Sequence, residues 1–186
     1  RNTEKIEIEK LQKEYNLLHK DRIRICTSKR ILDLFVSVML IVVFSPIILL
    51  IIAVYAVEMI FIKESRGPLL YKEPRISGGK VIFFYKFRTF KQSVIDAARK
   101  KNYVVHTKDL EGKRSNFTGI GCILNNIYLD ELPQLISILK GEMSLVGPRP
   151  TNIEVTLSKR AAGDYTKDLV ISGLTGPYQS VKGEGF

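Results

Sequence analysis

The chain has 186 residues, enough for one domain with its own core and a tight fit for a second. A formal net charge of +10 favours anionic partners, whether nucleic acid, anionic lipid or phosphorylated substrate, and does not choose among them. The two cysteines, Cys26 and Cys122, lie far apart and match no metal-ligand spacing, so they read as ordinary thiols and give no sign of a disulfide framework.

The chain begins at Arg1 and not at methionine, so a longer parent protein is compatible with it. Residues 4–26 mix charges with Ile6, Leu11, Leu18 and Ile25, the pattern of a charged helix with a weak apolar stripe. A solvated surface helix or a frayed tail fits the same residues. From Leu34 to Val57 there is no charged side chain and nearly every position is aliphatic or aromatic. A run of that length predicts a membrane helix; a buried helix of a soluble protein is the alternative. A secretory signal fits poorly, because the run follows a charged segment and exceeds the usual apolar core.

Phe44-Ser45-Pro46 lies in the middle of this run. Proline lacks an amide hydrogen and its ring clashes with the carbonyl four residues back, which predicts a kink or break, with Ser45 placed to rescue the freed backbone. Lys20, Arg22, Arg24, Lys29 and Arg30 precede the run; Lys63, Arg66, Lys72 and Arg75 follow it. Basic flanks favour the cytoplasmic side, and one straight span cannot put both there. A re-entrant helix can, while an ordinary span with a proline kink remains the alternative.

The residues after Ile62 read as a cytosolic domain of short helices and strands. Val81-Ile-Phe-Phe-Tyr after Gly78-Gly79 predicts a strand behind a turn. Ser93 to Lys101 predicts a helix, and His106 to Thr118 a polar loop. Leu132, Leu135, Ile136 and Leu139 have helical spacing, with Gly141 as the stop. The resulting plan is α+β: a charged helix at 1–28, a membrane helix at 29–62 broken at Ser45-Pro46, and a domain at 63–186.

Three segments carry candidate chemistry. Asp130 and Glu131 open a predicted helix, with Pro133 in its first turn. Free amides and the helix dipole would keep such carboxylates ionised, as a nucleophile or Mg²⁺ ligands; ordinary capping is the plainer role. Pro148-Arg149-Pro150 fixes the backbone on both sides of one guanidinium, which suits phosphate recognition or simply a rigid turn. Lys86 and Arg88 share one face of a strand and could bind a diphosphate or lie on a solvated face. His19 and His106 have no partners at metal spacing, and no phosphate-loop or dinucleotide signature is present.

The order of these segments resembles that of the bacterial sugar transferases, the monotopic polyprenyl-phosphate phosphoglycosyl transferases. An apolar run with Ser45-Pro46 is followed by Arg75 to Gly79 and Lys86-Phe-Arg-Thr. Then come Leu129-Asp-Glu-Leu-Pro-Gln-Leu, Lys140-Gly-Glu-Met-Ser-Leu-Val-Gly-Pro-Arg-Pro and Gly173-Leu-Thr-Gly. The resemblance implies a re-entrant N-terminal membrane helix and a small cytosolic helical domain with short strands and amphipathic interfacial helices. It implies transfer of a sugar 1-phosphate from a nucleoside diphosphate sugar, with UDP expected, to polyprenyl phosphate. Asp130 would be the nucleophile, forming a covalent aspartyl-phosphosugar. Glu131 would be its acidic partner, and both carboxylates would meet Mg²⁺. Arg149, flanked by Pro148 and Pro150, would lie near the phosphate or nucleotide, with Lys86, Arg88 and Arg75 also toward substrate. Ser45 and Pro46 match the membrane-helix break, and Lys29 and Arg30 the basic boundary pair. The implied place is the inner (cytoplasmic) membrane with the catalytic domain on its cytoplasmic face and membrane lipids as partners. Initiation of glycoconjugate or exopolysaccharide synthesis is the implied role. A homo-oligomer is compatible with it, and nucleic acid is not expected. Asn125 stands where members commonly carry arginine, Ser172 where proline is expected, and Pro177 precedes Tyr178 after Gly-Leu-Thr-Gly. A membrane-anchored basic module that binds lipid or protein without catalysis is the competing reading.

Overall fold

A computed structural model describes Lys13 and residues 23–101 and 110–176. Most of the charged N-terminal segment, His19, His106, Pro177 and Tyr178 lie outside the described residues. The chain forms two compact units. The first takes in Arg1–Met39, Pro74–Phe84 and Leu135–Phe186; the second takes in Leu40–Glu73 and Tyr85–Gln134. The chain thus passes between them four times.

Helix α1 (Thr27–Phe61) is 35 residues long, about 50 Å at 1.5 Å per residue. Only 11% of its most apolar window is buried. Phe35, Val42, Leu49 and Phe61 all point away from protein. A core helix of a soluble protein would hide such residues, so this surface calls for a lipid environment. Helical structure continues through Ser45 and Pro46, so a bend expected there is a kink within one helix and not a break between two. The reason is local. Pro46 cannot donate to the carbonyl of Val42, four residues back, and the Ser45 hydroxyl donates to that same carbonyl at 2.7 Å.

Strands β1 (Leu70–Ser77) and β2 (Lys80–Phe87) pair across the two-residue turn Gly78-Gly79. Both glycines have positive φ, 53° and 73°, which this tight hairpin turn requires. Helix α2 (Gln92–Lys101) follows as expected. Helix α3 (Gly119–Asn126) and a 3₁₀ turn at Leu129–Glu131 lead to α4 (Gln134–Lys140), which stops at Gly141 with φ 79°. Then come β3 (Ser144–Val146), α5 (Ile153–Ala161), α6 (Thr166–Leu169) and β4 (Gly173–Thr175). The loop expected up to Thr118 contains a 3₁₀ turn at Arg114–Asn116.

In the second unit, Ile51 and Tyr55 of α1 pack with Phe87, Ile120 and Leu124, flanked by Leu129 and Leu132. A second cluster joins Tyr71, Phe90 and Ile95 to Leu110 and Phe117. In the first unit, β3 and β4 run parallel, with Ser144 opposite Gly173 and Val146 opposite Thr175. Gly147 and Gly173 make this approach possible: a Cβ on Gly173 would sit 2.0 Å from the Gly147 nitrogen. Arg160 of α5 grips Asp168 of α6 with two charge-assisted bonds of 2.6 and 2.5 Å, both residues buried.

Candidate active site

The second unit places Asp130 by a chain of local choices. Thr118 caps α3, its hydroxyl accepting from the Gly121 amide at 3.0 Å. Glu58, near the end of α1, accepts from the amides of Gly119 at 2.7 Å and Ile120 at 3.0 Å, and from the Ser65 hydroxyl at 2.6 Å. Three of the helix's first free amides are thereby satisfied. Gly121 cannot carry a side chain, since a Cβ would lie 2.1 Å from the Thr89 carbonyl oxygen. After α3, Tyr128 takes the left-handed conformation at φ 59° and turns the chain into Leu129–Glu131. This is an uncommon state for a bulky residue. Leu129 and Leu132 pack into the apolar cluster, and Asp130 is carried inside, 2% exposed.

The expected placement of both carboxylates in the first turn of a helix is corrected. They sit on a separate 3₁₀ turn, and α4 begins only at Gln134, beyond Pro133. Their partner is a side chain and not a helix terminus. Lys86, at the end of β2, places its ammonium 3.2 Å from Asp130 Oδ2 and 2.9 Å from Glu131 Oε1. Burial pushes the Asp130 carboxyl above the usual range; Lys86 opposes this and Glu131 adds to it. A desolvated acid paired with one cation, beside a second acid, is an arrangement common at reacting sites.

Arg88 is corrected as well. It does not share a substrate face with Lys86. It is fully buried, donating to the carbonyls of Pro68 at 2.8 Å, Phe90 at 2.9 Å and Ser65 at 2.5 Å. Its own carbonyl accepts from the Tyr55 hydroxyl. The guanidinium ties the chain leaving α1 to the end of β2. The three fixed carbonyls outcompete any ligand that would have to enter the core.

The first unit holds the remaining candidates. Pro148, Arg149, Pro150 and Thr151 form a turn whose four carbonyls are all engaged. They accept from the Gly173 amide at 3.0 Å, the Lys167 ammonium at 2.6 Å, Arg75 Nη1 at 3.1 Å and the Ile76 amide at 3.0 Å. Arg75 also lies over the Phe84 ring, 5.3 Å from its centroid. Arg75 therefore holds Pro150, and its guanidinium serves the turn that carries Arg149. Lys29 and Arg30 bind within the same unit. Arg30 donates to the carbonyls of Ile138 and Leu139 at 2.6 and 2.9 Å, capping the end of α4. Lys29 bonds the Ser144 hydroxyl and lies 3.4 Å from Asp33. Ser172, in place of the expected proline, uses the amide that proline would lack: it donates to Ser77 Oγ at 3.0 Å. Asn125 lies in the last turn of α3, half-buried.

Lys86, Asp130 and Glu131 are thus brought together in one unit, and Arg75, Pro148, Arg149 and Pro150 in the other. Sequence reasoning missed Glu58, Thr118 and Lys167. Thr118 before Gly-Ile-Gly carried a readable capping signal; the other two depend on contacts 61 and 18 residues away in sequence. Both cysteines are free. No group of three or more histidine, cysteine, aspartate or glutamate side chains at metal-binding distance occurs among the described residues. The two carboxylates beside Lys86 are hard oxygen donors, which fits a Mg²⁺ ion held largely by water and substrate phosphates and not by an all-protein cage.

The bacterial sugar transferase family model matches residues 24–185. An uncharacterized sugar transferase of Haemophilus influenzae is 35% identical over 81% of this chain and 32% of its own length. The undecaprenyl-phosphate glucose phosphotransferase of Komagataeibacter xylinus is 37% identical over 80% of this chain and 26% of its own. The UDP-glucose:undecaprenyl-phosphate glucose-1-phosphate transferase of Caulobacter vibrioides is 34% identical over 69% and 43%. The chain spans less than half the length of these relatives. The match covers α1, both carboxylates and the Pro-Arg-Pro turn together, and the chain belongs to the bacterial sugar transferase family.

Proposed function

We propose that the protein transfers a sugar 1-phosphate from a UDP-sugar to polyprenyl phosphate through Asp130. The observation that carries this is the buried Asp130 carboxylate held with Glu131 on one ammonium, that of Lys86. A carboxylate oxygen of Asp130 attacks the sugar-bearing phosphorus. The bond to the α-phosphate breaks, and UMP leaves with the electron pair. An oxygen of polyprenyl phosphate then attacks the aspartyl-bound phosphorus, and the carboxylate is restored as polyprenyl diphosphate sugar departs.

Desolvation makes an anionic oxygen a better nucleophile, and Lys86 favours the ionised form against that burial. Lys86 then faces the incoming diphosphate as well, offsetting charge that builds on it. Mg²⁺, held by Asp130, Glu131 and the diphosphate, would supply further charge neutralisation. Arg149 offers a planar fork for a phosphate or nucleotide.

Helix α1 anchors this chemistry where the lipid acceptor lives. In the same reading it kinks near Ser45-Pro46 and enters and leaves by the cytoplasmic face of the inner membrane. The basic side chains at both ends of its apolar run support that topology. Ile123, Ile127 and Tyr128 are exposed on and just after α3 and suit an interfacial position. Relatives named for undecaprenyl-phosphate sugar transfer and exopolysaccharide production favour a role at the first membrane step of polysaccharide assembly.

The test is a screen of the full chain in detergent with UDP-sugars, polyprenyl phosphate and Mg²⁺. UMP release with one or more donors, abolished by excess chelator, is the expected result. With donor alone, the Asp130 peptide should gain the mass of a phosphosugar. A non-catalytic lipid- or protein-binding module would release no UMP. Topology is read separately, with native cysteines removed, from single cysteines near Lys5 and Lys182 in sealed right-side-out vesicles. Both should be shielded from an impermeant thiol reagent, and labelling of the Lys5 site alone would show an ordinary span.

A further inference from the structure

We infer that Lys167 is a positioning residue for Arg149, acting as a clamp on the carbonyl of the arginine it serves. The inference rests on the functional reading of Arg149 above. Among the four engaged carbonyls of the turn, Pro148 and Thr151 are held by backbone amides that any sequence would provide. The two central ones, of Arg149 and Pro150, are held by cationic side chains, Lys167 and Arg75. Prolines at 148 and 150 fix two φ angles but supply no amide with which the turn could brace itself. The bracing therefore has to come from outside, and Lys167 supplies it at the middle residue.

Lys167 is an expensive choice for a brace. It is 8% exposed, on the four-residue helix α6, and its bond to the Arg149 carbonyl is 2.6 Å. Burial, with Lys159 adding to it, pulls the ammonium down to about 8. The adjacent Asp168, which could have neutralised it, is instead committed to Arg160 through both carboxylate oxygens. Arg160 and Asp168 lock α6 onto α5, so the helix that carries Lys167 is itself fixed. The outcome is a charge-assisted hydrogen bond onto the backbone of the residue whose guanidinium must meet an anion. A fixed carbonyl restricts the arginine backbone, so less freedom is lost when its side chain binds.

The experiment uses the full chain with Lys167→Met, which keeps length and removes the donor, and Lys167→Arg, which keeps a donor. Hydrogen exchange without substrate reads the clamp directly. Lys167→Met should speed exchange at the Ile76 amide, which bonds the turn through the Thr151 carbonyl, while the Ser144 and Gly147 amides of the β3–β4 region stay protected. Unchanged exchange there, or protection lost throughout the unit, overturns the clamp. Steady-state transfer reads its purpose. Lys167→Met should raise the donor KM about tenfold with kcat within about threefold, and Lys167→Arg should recover most of the loss. In an Arg149→Ala background, Lys167→Met should add less than about twofold, because its effect runs through Arg149. An equal effect in both backgrounds overturns the inference. A wild-type chain that transfers from no donor removes the functional reading, and the exchange result then still decides the clamp.

Discussion

The two units place charge in opposite ways. Around Asp130, side chains meet side chains: one ammonium lies between two carboxylates, and the central acid is withdrawn from water. Around Arg149, side chains and amides meet backbone: four successive carbonyls are gripped, and the turn is fixed beneath its arginine. The first arrangement tunes the reactivity of a group, while the second fixes where a group stands. Reactivity is sensitive to a single atom; position is shared among several contacts. The comparison therefore predicts large, all-or-none losses in the first region and graded ones in the second.

The largest loss should come from Asp130→Asn. The amide preserves shape but is a poor nucleophile, and transfer should fall by about a thousandfold or more. Near wild-type turnover in a single-turnover assay would break the comparison at its root. Next is Arg88→Met, which leaves the Ser65 and Phe90 carbonyls buried without their donor and frees that of Pro68. A loss of about 3 kcal/mol or more in unfolding free energy is expected, read by denaturant titration in detergent. A variant as stable as wild type with a raised donor KM would return Arg88 to the substrate face. Gly173→Ala should cost about as much, about 3 kcal/mol, because a Cβ would meet the Gly147 backbone nitrogen at 2.0 Å and the paired strands β3 and β4 must part to admit it. A loss of donor binding with unchanged stability would show that the glycine serves substrate and not strand approach.

What could be read in the sequence follows the range of the interactions involved. Strand β2 was legible because the Gly78-Gly79 turn and the β-rich run after it act locally, whereas its partner β1 carried no such run and was not read. Helix α4 and its stop were legible for the same reason, as was the rescue of Val42 by Ser45. Helical structure runs on through Pro46, since proline chemistry shows in the sequence but the strength of its local repair does not. At the site, Asp130, Glu131 and Lys86 were all candidates, yet their ion pairing was not foreseen, because it joins residues 44 apart. Arg88 and Arg149 could not be told apart as brace and candidate ligand. Both are arginines beside aromatic or proline residues, and only burial against distant carbonyls separates them. The carboxylate environment was misjudged in sign: a helix terminus would have held Asp130 down, whereas burial pushes it up.

That sign yields the smallest effect, and one that sharpens the comparison. Burial raises the folded-state pKa of Asp130 above the ordinary carboxylate value of about 3.9. Between the unfolded and folded pKa values the native state holds more protons than the unfolded state, so unfolding free energy falls as pH rises through that window. Above the folded pKa the ionised Asp130 costs stability by a fixed amount; below the unfolded pKa the cost is gone. Asp130→Asn carries no such charge, and Lys86 keeps Glu131 as a partner at 2.9 Å. The inactive variant should therefore unfold slightly later than wild type at neutral pH, with an advantage smaller than any effect above. That advantage should shrink to nothing as pH is lowered through the carboxylate range. Thermal unfolding of both proteins across this range, in one detergent and at one ionic strength, makes the measurement. An Asp130→Asn variant less stable at neutral pH would mean that the ion pair outweighs desolvation. Asp130 would then be a structural carboxylate of the same kind as Asp168, and the contrast between a tuned group and a placed one would disappear.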